Sequence, residues 1–237
     1  MTQANSTPRN LEGFVVVVTY GRSGSTLVQN LLNSIDGYCI RGENNNVIVP
    51  MARAHHSLRY CDNLINLRRS KTETTPDDPW FGGQLTNPQS LGKSLAQLFI
   101  RDVLAPPPGT RVTGFKEIRW GAQLATLPNT LDFISQFFPD AKFVFNTRNH
   151  DEVARSGWWA KSKPENVSAQ LAAQETAFRQ YLEKHPNRGI HIHYNDYVND
   201  AEALVPMFSF LGESWNADRV QAVLDRKLLH LKSDDVR

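Results

Sequence analysis

The chain has 237 residues, of which 40% are apolar and 21% charged, a mixture typical of one globular domain with a full core. A net charge of +2 at pH 7 is too small for non-specific binding to nucleic acid, so any recognition of anions must be local. Neither a secretory leader nor a membrane span is predicted, because residues 1–10 are polar and the longest apolar run, 14–18, is far too short to cross a bilayer.

Strands and helices are predicted to alternate along the chain. After a disordered lead over 1–11, the first strand covers 14–20 and is apolar on both faces, as central strands of parallel sheets are. A helix follows over 25–34. The remaining predicted elements, in chain order, are an extended or irregular stretch over 40–50, helical structure over 51–69, a surface loop over 70–89, a helix over 91–104, a strand over 111–118, a helix over 131–138, a strand over 142–147, helices over 151–159 and 166–184, a strand over 190–194, and helices near 201–211 and 216–229.

This alternation predicts a single α/β domain over residues 12–237. Helices between strands act as crossovers, which favours a three-layer α/β/α arrangement around a central, mostly parallel sheet of four to five strands. Cys39 and Cys61 are too few for a disulfide framework and are expected to be free thiols, which favours a reducing, cytoplasmic location. The sequence leaves open whether this is a whole protein or a trimmed domain.

The turn between the first strand and the first helix has the composition of a phosphate cradle. It reads Gly-Arg-Ser-Gly-Ser-Thr at 21–26, so its N–H groups and the positive end of the helix can converge on one anion, with Arg22 adding a guanidinium suited to oxyanions. A nucleotide-hydrolysing P-loop has a Lys that reaches the β/γ-phosphates, and Ser25 stands at that position here. The loop therefore predicts a P-loop type of fold whose anion is not the triphosphate of ATP or GTP; a plain connecting turn is the alternative.

A second candidate anion site follows the strand predicted over 142–147. Arg148 stands at the carboxyl end of that strand, and Ser156 is expected about a turn and a half into the next helix. Ligands in α/β folds lie at the carboxyl ends of the strands, so both side chains can converge on one anionic group beside the first loop. Taken alone, Arg148 could equally pair with a surface carboxylate.

Together the two segments resemble the sulfotransferases that use 3′-phosphoadenosine 5′-phosphosulfate, in particular the carbohydrate and tyrosylprotein types and their bacterial relatives. Residues 20–26 resemble the 5′-phosphosulfate loop of that family in its Arg-Ser-Gly form. Residues 143–156 resemble the 3′-phosphate motif, in which a strand-end Arg and a Ser eight positions later bind the phosphate. Asn146-Thr147 departs from the family pattern, which more often has an apolar residue or Val there. The resemblance implies no metal and these donor-binding residues: Gly21, Arg22, Ser23, Gly24, Ser25, Thr26, Arg148 and Ser156.

The resemblance also implies three catalytic residues. Glu43 corresponds to a carboxylate that acts as general base on the acceptor hydroxyl in several members, and proton removal of this kind contributes about 10²–10⁴-fold to rate. Lys116, at the end of the strand over 111–118, and Arg22 would stabilise charge that develops on the transferred group and the leaving phosphate. The alternatives are a solvated loop carboxylate for Glu43 and a structural salt bridge for Lys116. Glu117, on the opposite face of the strand, is expected to pair with Arg119 or to hold Lys116.

Other polar and aromatic residues give weaker signals. His55-His56 and the pair His191 and His193 lack partners at metal-ligand spacing, and packing is expected for the second pair. His150 could touch the nucleotide because it closely follows Arg148. The aromatic residues that could stack on a sugar or adenine, or belong to the core instead, are Trp120, Trp158 and Trp159.

The sequence thus predicts an enzyme that moves a sulfuryl group to a hydroxyl of a carbohydrate, peptide or small-molecule acceptor, and it does not identify that acceptor. Small-molecule or glycan acceptors are expected as partners, and the locally basic segment 44–90 is expected to set acceptor specificity. The oligomeric state is left open. Two alternatives remain: a P-loop kinase of a small metabolite, and a catalytically silent domain that binds a nucleotide or glycan.

Overall fold

The protein is built on a five-stranded parallel sheet. A computed structural model describes residues 11–226, and its strands are β1 (Gly13–Val18), β2 (Tyr38–Arg41), β3 (Val112–Glu117), β4 (Ala141–Thr147) and β5 (Gly189–His193), in the spatial order β2-β3-β1-β4-β5. Every pairing between neighbouring strands is parallel. The α/β fold with a parallel sheet of four to five strands is confirmed, and β2 overlaps only at residues 40–41 with the stretch 40–50 that the sequence left as extended or irregular.

The sheet is covered on both faces, which gives the three layers. Strand β1 is central and buried along its whole length. Phe14, Val16 and Val18 pack into one hydrophobic cluster with residues from the central part of the chain. Val15 and Val17 point to the other face and pack with residues from the first helix and the C-terminal helices. A strand with two buried faces must be apolar at consecutive positions, which is the pattern of the run 14–18.

Ten α-helices lie within the described residues. They are α1 (Ser25–Asn33), α2 (Ile48–Arg59), α3 (Asp62–Ser70), α4 (Pro88–Leu98), α5 (Leu127–Phe137), α6 (His150–Ala154), α7 (Pro164–Lys184), α8 (Tyr194–Asn199), α9 (Val205–Leu211) and α10 (Ala217–Leu224). Helix α4 continues into a π-helical turn at Phe99–Leu104, and short 3₁₀ helices cover Gly83–Leu85, Gly121–Thr126, Gly157–Lys161 and Ala201–Leu204. None of the helices in this part of the chain is both long and apolar enough to cross a bilayer.

Two predicted helices are interrupted. The helical region expected over 51–69 is two helices, because Cys61 is extended (φ −73°, ψ 115°) and separates α2 from α3. The helix expected over 151–159 ends at Ala154, and Gly157 has φ +57°, a left-handed conformation that cannot continue a right-handed helix. The N-cap of this helix, expected at Asp151, is Asn149, whose side chain accepts hydrogen bonds from the N–H groups of Asp151 and Glu152.

The chain ends fall partly outside the description. Of the lead predicted over 1–11, only Leu11 is described, and it packs against the core. The last predicted helix, 216–229, is observed as α10, and its final positions lie outside the described residues. A single domain over 12–237 stays a prediction.

Candidate functional site

The turn between β1 and α1 has the backbone geometry of an anion cradle. Arg22 (φ +69°) and Gly24 (φ +82°) are left-handed, and Gly24 directly precedes the helix. The N–H groups of Leu27 and Val28 donate to the Gly24 carbonyl oxygen. Ser25 and Thr26 open the helix, where N–H groups have no carbonyl one turn earlier to bind and are oriented out of the helix end. This is the arrangement that the sequence predicted.

Gly24 is fixed by a close aromatic neighbour as well as by its backbone conformation. A Cβ atom at this position would lie 2.1 Å from Cδ2 of Tyr194. We expect Gly24→Ala to lower the free energy of unfolding by about 2–4 kcal/mol, since the left-handed conformation and the overlap both cost energy. The matched control is Gly109→Ala, where φ is +85° and nothing lies within 4 Å of the added atom, with an expected loss of about 1 kcal/mol. Equal losses in the two variants, measured by urea unfolding, would contradict the role given to Tyr194.

The loop is anchored from beneath by buried polar groups. Asn146, the residue that departs from the family pattern, donates from Nδ2 to the Ser23 carbonyl (2.9 Å) and accepts at Oδ1 from the Tyr197 hydroxyl (3.0 Å). The Thr19 hydroxyl donates to the Asn146 carbonyl (2.6 Å) and lies 2.7 Å from Oγ of Ser23. The Ser23 side chain is therefore used inside the fold, so this residue can offer an anion only its N–H group. The sequence signal for this anchor was a polar residue within an otherwise apolar buried strand.

Arg148 is held in place by three neighbours at the end of β4. Its Nε and Nη2 donate to Oε2 of Glu152 (2.9 and 2.7 Å), and its Nη1 donates to the carbonyl of Arg22 (3.2 Å). Its guanidinium carbon lies 4.3 Å from the centre of the Tyr194 ring. The hydrogen bonds from Arg148, and then from Asn195, hold the pKa of Glu152 below its usual range. Pairing with a carboxylate, one of the two sequence interpretations, is thus observed, and it orients the guanidinium beside the loop.

The backbone at Arg148 is also tied to the segment that follows β1. Its N–H group donates to the Tyr20 hydroxyl (2.8 Å), which lies 2.6 Å from Oε1 of Glu175. Burial raises the pKa of Tyr20, and the hydrogen bond with Glu175 raises it further, so the hydroxyl stays neutral and able to donate. His150 completes this network, because its ring nitrogens lie 3.0 Å from Glu175 and 3.1 Å from Ser168. The expectation that His150 touches the nucleotide has no support from these contacts.

Ser156 reaches the site by a different route from the predicted one. It is extended (φ −114°, ψ 130°) between α6 and the following 3₁₀ helix and does not lie inside a helix, which corrects the sequence prediction. Its Oγ accepts a hydrogen bond from Nε of Arg22 (2.8 Å). The early end of α6 therefore brings the second motif into direct contact with the first.

Glu43 and Lys116 form an ion pair. Lys116 Nζ lies 2.7 Å from Oε1 of Glu43, and the exposed fractions of the two side chains are 8% and 29%. Parallel pairing of β2 and β3 places Arg41 opposite Phe115, so Glu43, two residues beyond, reaches the end of β3. The salt bridge suggested for Lys116 is observed, and Glu43, an exposed residue, is ion-paired in it as well as accessible to solvent.

Glu117 has a role that sequence reasoning missed. It is fully buried, and its Oε2 accepts from the N–H groups of Asn46 (2.9 Å) and Asn44 (3.3 Å). Its Oε1 accepts from the N–H groups of Ile118 and Arg119 (2.9 and 3.2 Å). The expected contact with the Lys116 or Arg119 side chain is not what holds it. Instead the carboxylate fixes the backbone of the segment that follows Glu43.

The turn after β1, the Glu43–Lys116 pair and the Arg148 side chain line one cavity of about 430 Å³ at the carboxyl ends of the strands. Of the residues that sequence analysis selected, Gly21, Arg22, Gly24, Ser25, Thr26, Glu43, Lys116, Arg148 and Ser156 line it. Ser23 does not, because its side chain is buried beneath the loop. Trp158, which the sequence offered as a possible stacking residue, also lines the cavity. Further lining comes from Leu27, Ile118 and Tyr194, and Tyr194 was not selected from the sequence because nothing in its neighbourhood marks it.

Comparison with known proteins shows the family and the fold of this chain. The sulfotransferase family, represented by its sequence model, matches residues 15–217. This chain belongs to the sulfotransferase family. The enzyme is similar in structure to the sulfotransferase domain from the curacin biosynthetic pathway (TM-score 0.53, 16% identity, 94% of this chain and 82% of that one). It is also similar to the sulfotransferase domain from the Synechococcus PCC 7002 olefin synthase (TM-score 0.53, 17% identity, 94% and 81%). No curated protein matches the sequence significantly.

Other candidate residues of this sulfotransferase take separate places. Trp120 is fully buried and belongs to the core. Trp159 is partly buried and donates from Nε1 to the carbonyl of Gly21 (3.1 Å), whereas Trp158 is exposed at the mouth of the cavity. Within residues 11–226 no group of three or more His, Cys, Asp or Glu residues is placed to hold a metal ion.

His191 and His193 share one partner on the neighbouring strand. His191 Nε2 and His193 Nδ1 lie 2.8 and 2.9 Å from Oγ1 of Thr147, which supports the packing interpretation. Burial lowers the pKa of His191 below its usual value of about 6.5, and His193 lowers it further.

This shift predicts a pH dependence of stability. Below pH about 6.5 the unfolded chain binds the His191 proton more readily than the folded one, so the free energy of unfolding falls as the pH drops. Burial also lowers the pKa of His55, which acts in the same direction. We therefore expect His191→Gln to flatten the loss of stability between pH 6.5 and 5 without abolishing it, as measured by urea unfolding at each pH. An unchanged slope in this variant would contradict the assignment.

Proposed function

We propose that this sulfotransferase moves the sulfuryl group of 3′-phosphoadenosine 5′-phosphosulfate to a hydroxyl of a carbohydrate, peptide or small-molecule acceptor, with Glu43 as general base. The observation that carries the proposal is that Glu43, Lys116 and the anion cradle line the same cavity as Arg148 and Ser156. Among residues 11–226, three cationic side chains and one carboxylate line this cavity, which suits a donor that carries several negative charges.

Donor binding is assigned to two parts of the cavity. The N–H groups at the start of α1 and the Arg22 guanidinium would hold the 5′-phosphosulfate, since both are positive and converge on the turn. Arg148 and Ser156 would hold the 3′-phosphate. Arg148 is already oriented by Glu152 and Tyr194, so little side-chain freedom would be lost on binding.

The donor supplies the sulfuryl group, and the residues of the chain supply proton removal and charge stabilisation. Glu43 accepts the proton of the acceptor hydroxyl as the hydroxyl oxygen bonds to sulfur. The bond between sulfur and the bridging oxygen breaks, and its electron pair stays on the 5′-phosphate of adenosine 3′,5′-bisphosphate. Lys116 binds Oε1 of Glu43, which leaves Oε2 for the proton, and with Arg22 it stabilises the charge on the leaving oxygen.

Transfer of ³⁵S-labelled sulfate from the donor to a panel of hydroxyl acceptors tests the proposal. We expect labelled products, together with calorimetric binding of adenosine 3′,5′-bisphosphate that is tighter than that of ATP with Mg²⁺. Tighter binding of ATP with Mg²⁺ would favour the kinase alternative. Binding of the bisphosphate without transfer to any acceptor in the panel would favour the catalytically silent domain.

A further inference from the structure

A second cavity, of about 410 Å³, adjoins the first at Glu43. The two share Gly21, Glu43, Ile118 and Trp158, and the second adds only Arg119 and Trp159. The proposed base Glu43 therefore lines this cavity, whereas Arg148 and Ser156 do not. We propose that this cavity binds the acceptor, and that Trp158 and Arg119 select an alcohol whose flat ring carries a negatively charged group. This inference rests on the proposed sulfuryl transfer.

Trp158 has the position of a stacking platform. Its side chain covers Gly21 so closely that a Cβ there would lie 2.2 Å from Cζ2, so the glycine is what allows the ring to lie on the loop. The ring is nevertheless 51% exposed. Trp159 lies beside it, with ring centres 6.4 Å apart and planes inclined by 35°, and is tied to the Gly21 carbonyl. An indole that lies against the loop, yet is open to solvent next to a base, offers a flat apolar surface for a ring.

Arg119 supplies the charge of this cavity. Its backbone is fixed by Glu117, by the Asn46 amide and by a bridge to Tyr20, whereas its side chain is 55% exposed. Nη1 donates to Oδ1 of Asn45 (3.1 Å), and Nη2 lies 4.0 Å from Oε2 of Glu43. Lys116 already balances the charge of Glu43 at 2.7 Å. The Arg119 guanidinium therefore gives this cavity a net positive charge.

The volume and the charge together describe the acceptor. A cavity of about 410 Å³ falls within the range of small-molecule sites, roughly 300–1,000 Å³. A ring that stacks on Trp158 lies within reach of Glu43 for its hydroxyl and of Arg119 for a carboxylate, sulfate or phosphate. Acceptor recognition is thereby assigned partly to 118–119 and 158–159, outside the segment 44–90 in which the sequence analysis expected it.

Three phenols of similar size and different charge test this assignment. The protein saturated with adenosine 3′,5′-bisphosphate is titrated with 4-hydroxyphenylacetate, 4-ethylphenol and tyramine, which are anionic, neutral and cationic, and tryptophan fluorescence and calorimetry report binding. We expect the anionic phenol to bind about tenfold more tightly than the neutral one, as a charge-assisted hydrogen bond provides. Glucuronate and glucose form a parallel pair that distinguishes sugar rings from aromatic rings.

The variants separate the two residues. Arg119→Gln should bring the dissociation constants of the anionic and neutral phenols together, Arg119→Glu should favour tyramine, and Trp158→Ala should weaken all three. Arg101→Gln and Trp80→Ala replace exposed residues that line neither cavity and should change nothing. Retention of the anionic preference in Arg119→Glu, or no millimolar binding of any probe to the wild type, would overturn the acceptor assignment alone. Failure of the wild type to bind the bisphosphate would overturn the proposed function as well.

Discussion

Glu43→Gln is expected to lower the rate of sulfuryl transfer by about 10²–10⁴-fold while leaving the dissociation constant of adenosine 3′,5′-bisphosphate nearly unchanged. Glutamine keeps the size of the side chain and an oxygen that can accept from Lys116, but it cannot take a proton from the acceptor. Single-turnover transfer of labelled sulfate measures the chemical step, and calorimetry measures the bisphosphate affinity. Glu43→Ala should lose turnover as well, but it also leaves the buried Lys116 ammonium without its partner.

A matched control separates this effect from a general loss of charge. Glu213 also forms an ion pair, with Arg111 at 2.8 Å, but it lines neither cavity, because Arg111 directly precedes β3 at the amino ends of the strands, opposite the site. Glu213→Gln should therefore transfer sulfate at the wild-type rate. Wild-type turnover by Glu43→Gln would remove this residue from the role of base and would leave it as the partner of Lys116.

Arg148→Gln is expected to abolish the preference for a 3′-phosphorylated nucleotide. In the wild type we expect adenosine 3′,5′-bisphosphate to bind about 10- to 100-fold more tightly than adenosine 5′-monophosphate, the range typical of hydrogen bonds between charged groups. The variant should bind the two nucleotides with similar dissociation constants. They differ by the 3′-phosphate, and the guanidinium proposed to bind that phosphate is absent from the variant. Calorimetric titration of both proteins with both nucleotides gives the four constants.

Two measurements distinguish the loss of a phosphate contact from a folding defect. Thermal unfolding of Arg148→Gln should remain cooperative, since Glu152 keeps its hydrogen bond from Asn195 (2.7 Å). Arg101→Gln, which removes an exposed arginine paired with Asp102, should retain the full preference. If Arg148→Gln kept that preference too, the 3′-phosphate would have to bind elsewhere.

Most of the architecture was predictable because it depends on local patterns. The run 14–18 is apolar on both faces, and Gly24 with its hydroxyl neighbours stands where a strand turns into a helix, so the central strand and the cradle followed directly from the sequence. Strand β2 was missed because it is short and edges the sheet. The helix that should have contained Ser156 was predicted too long because the sequence pattern does not show that Ser156 is extended and Gly157 left-handed.

By itself, the sequence determined the α/β class, the turn that is proposed to bind an anion and the two motifs that resemble the sulfotransferase family, since each needs only particular residue types at fixed spacing. Tertiary structure decided which distant groups meet. Lys116 and Glu43 are 73 positions apart and pair only because β2 lies beside β3 in one register. Asn146 anchors the loop, and Trp158 lies on Gly21, for the same reason: strand order and packing set contacts between segments that sequence spacing does not encode.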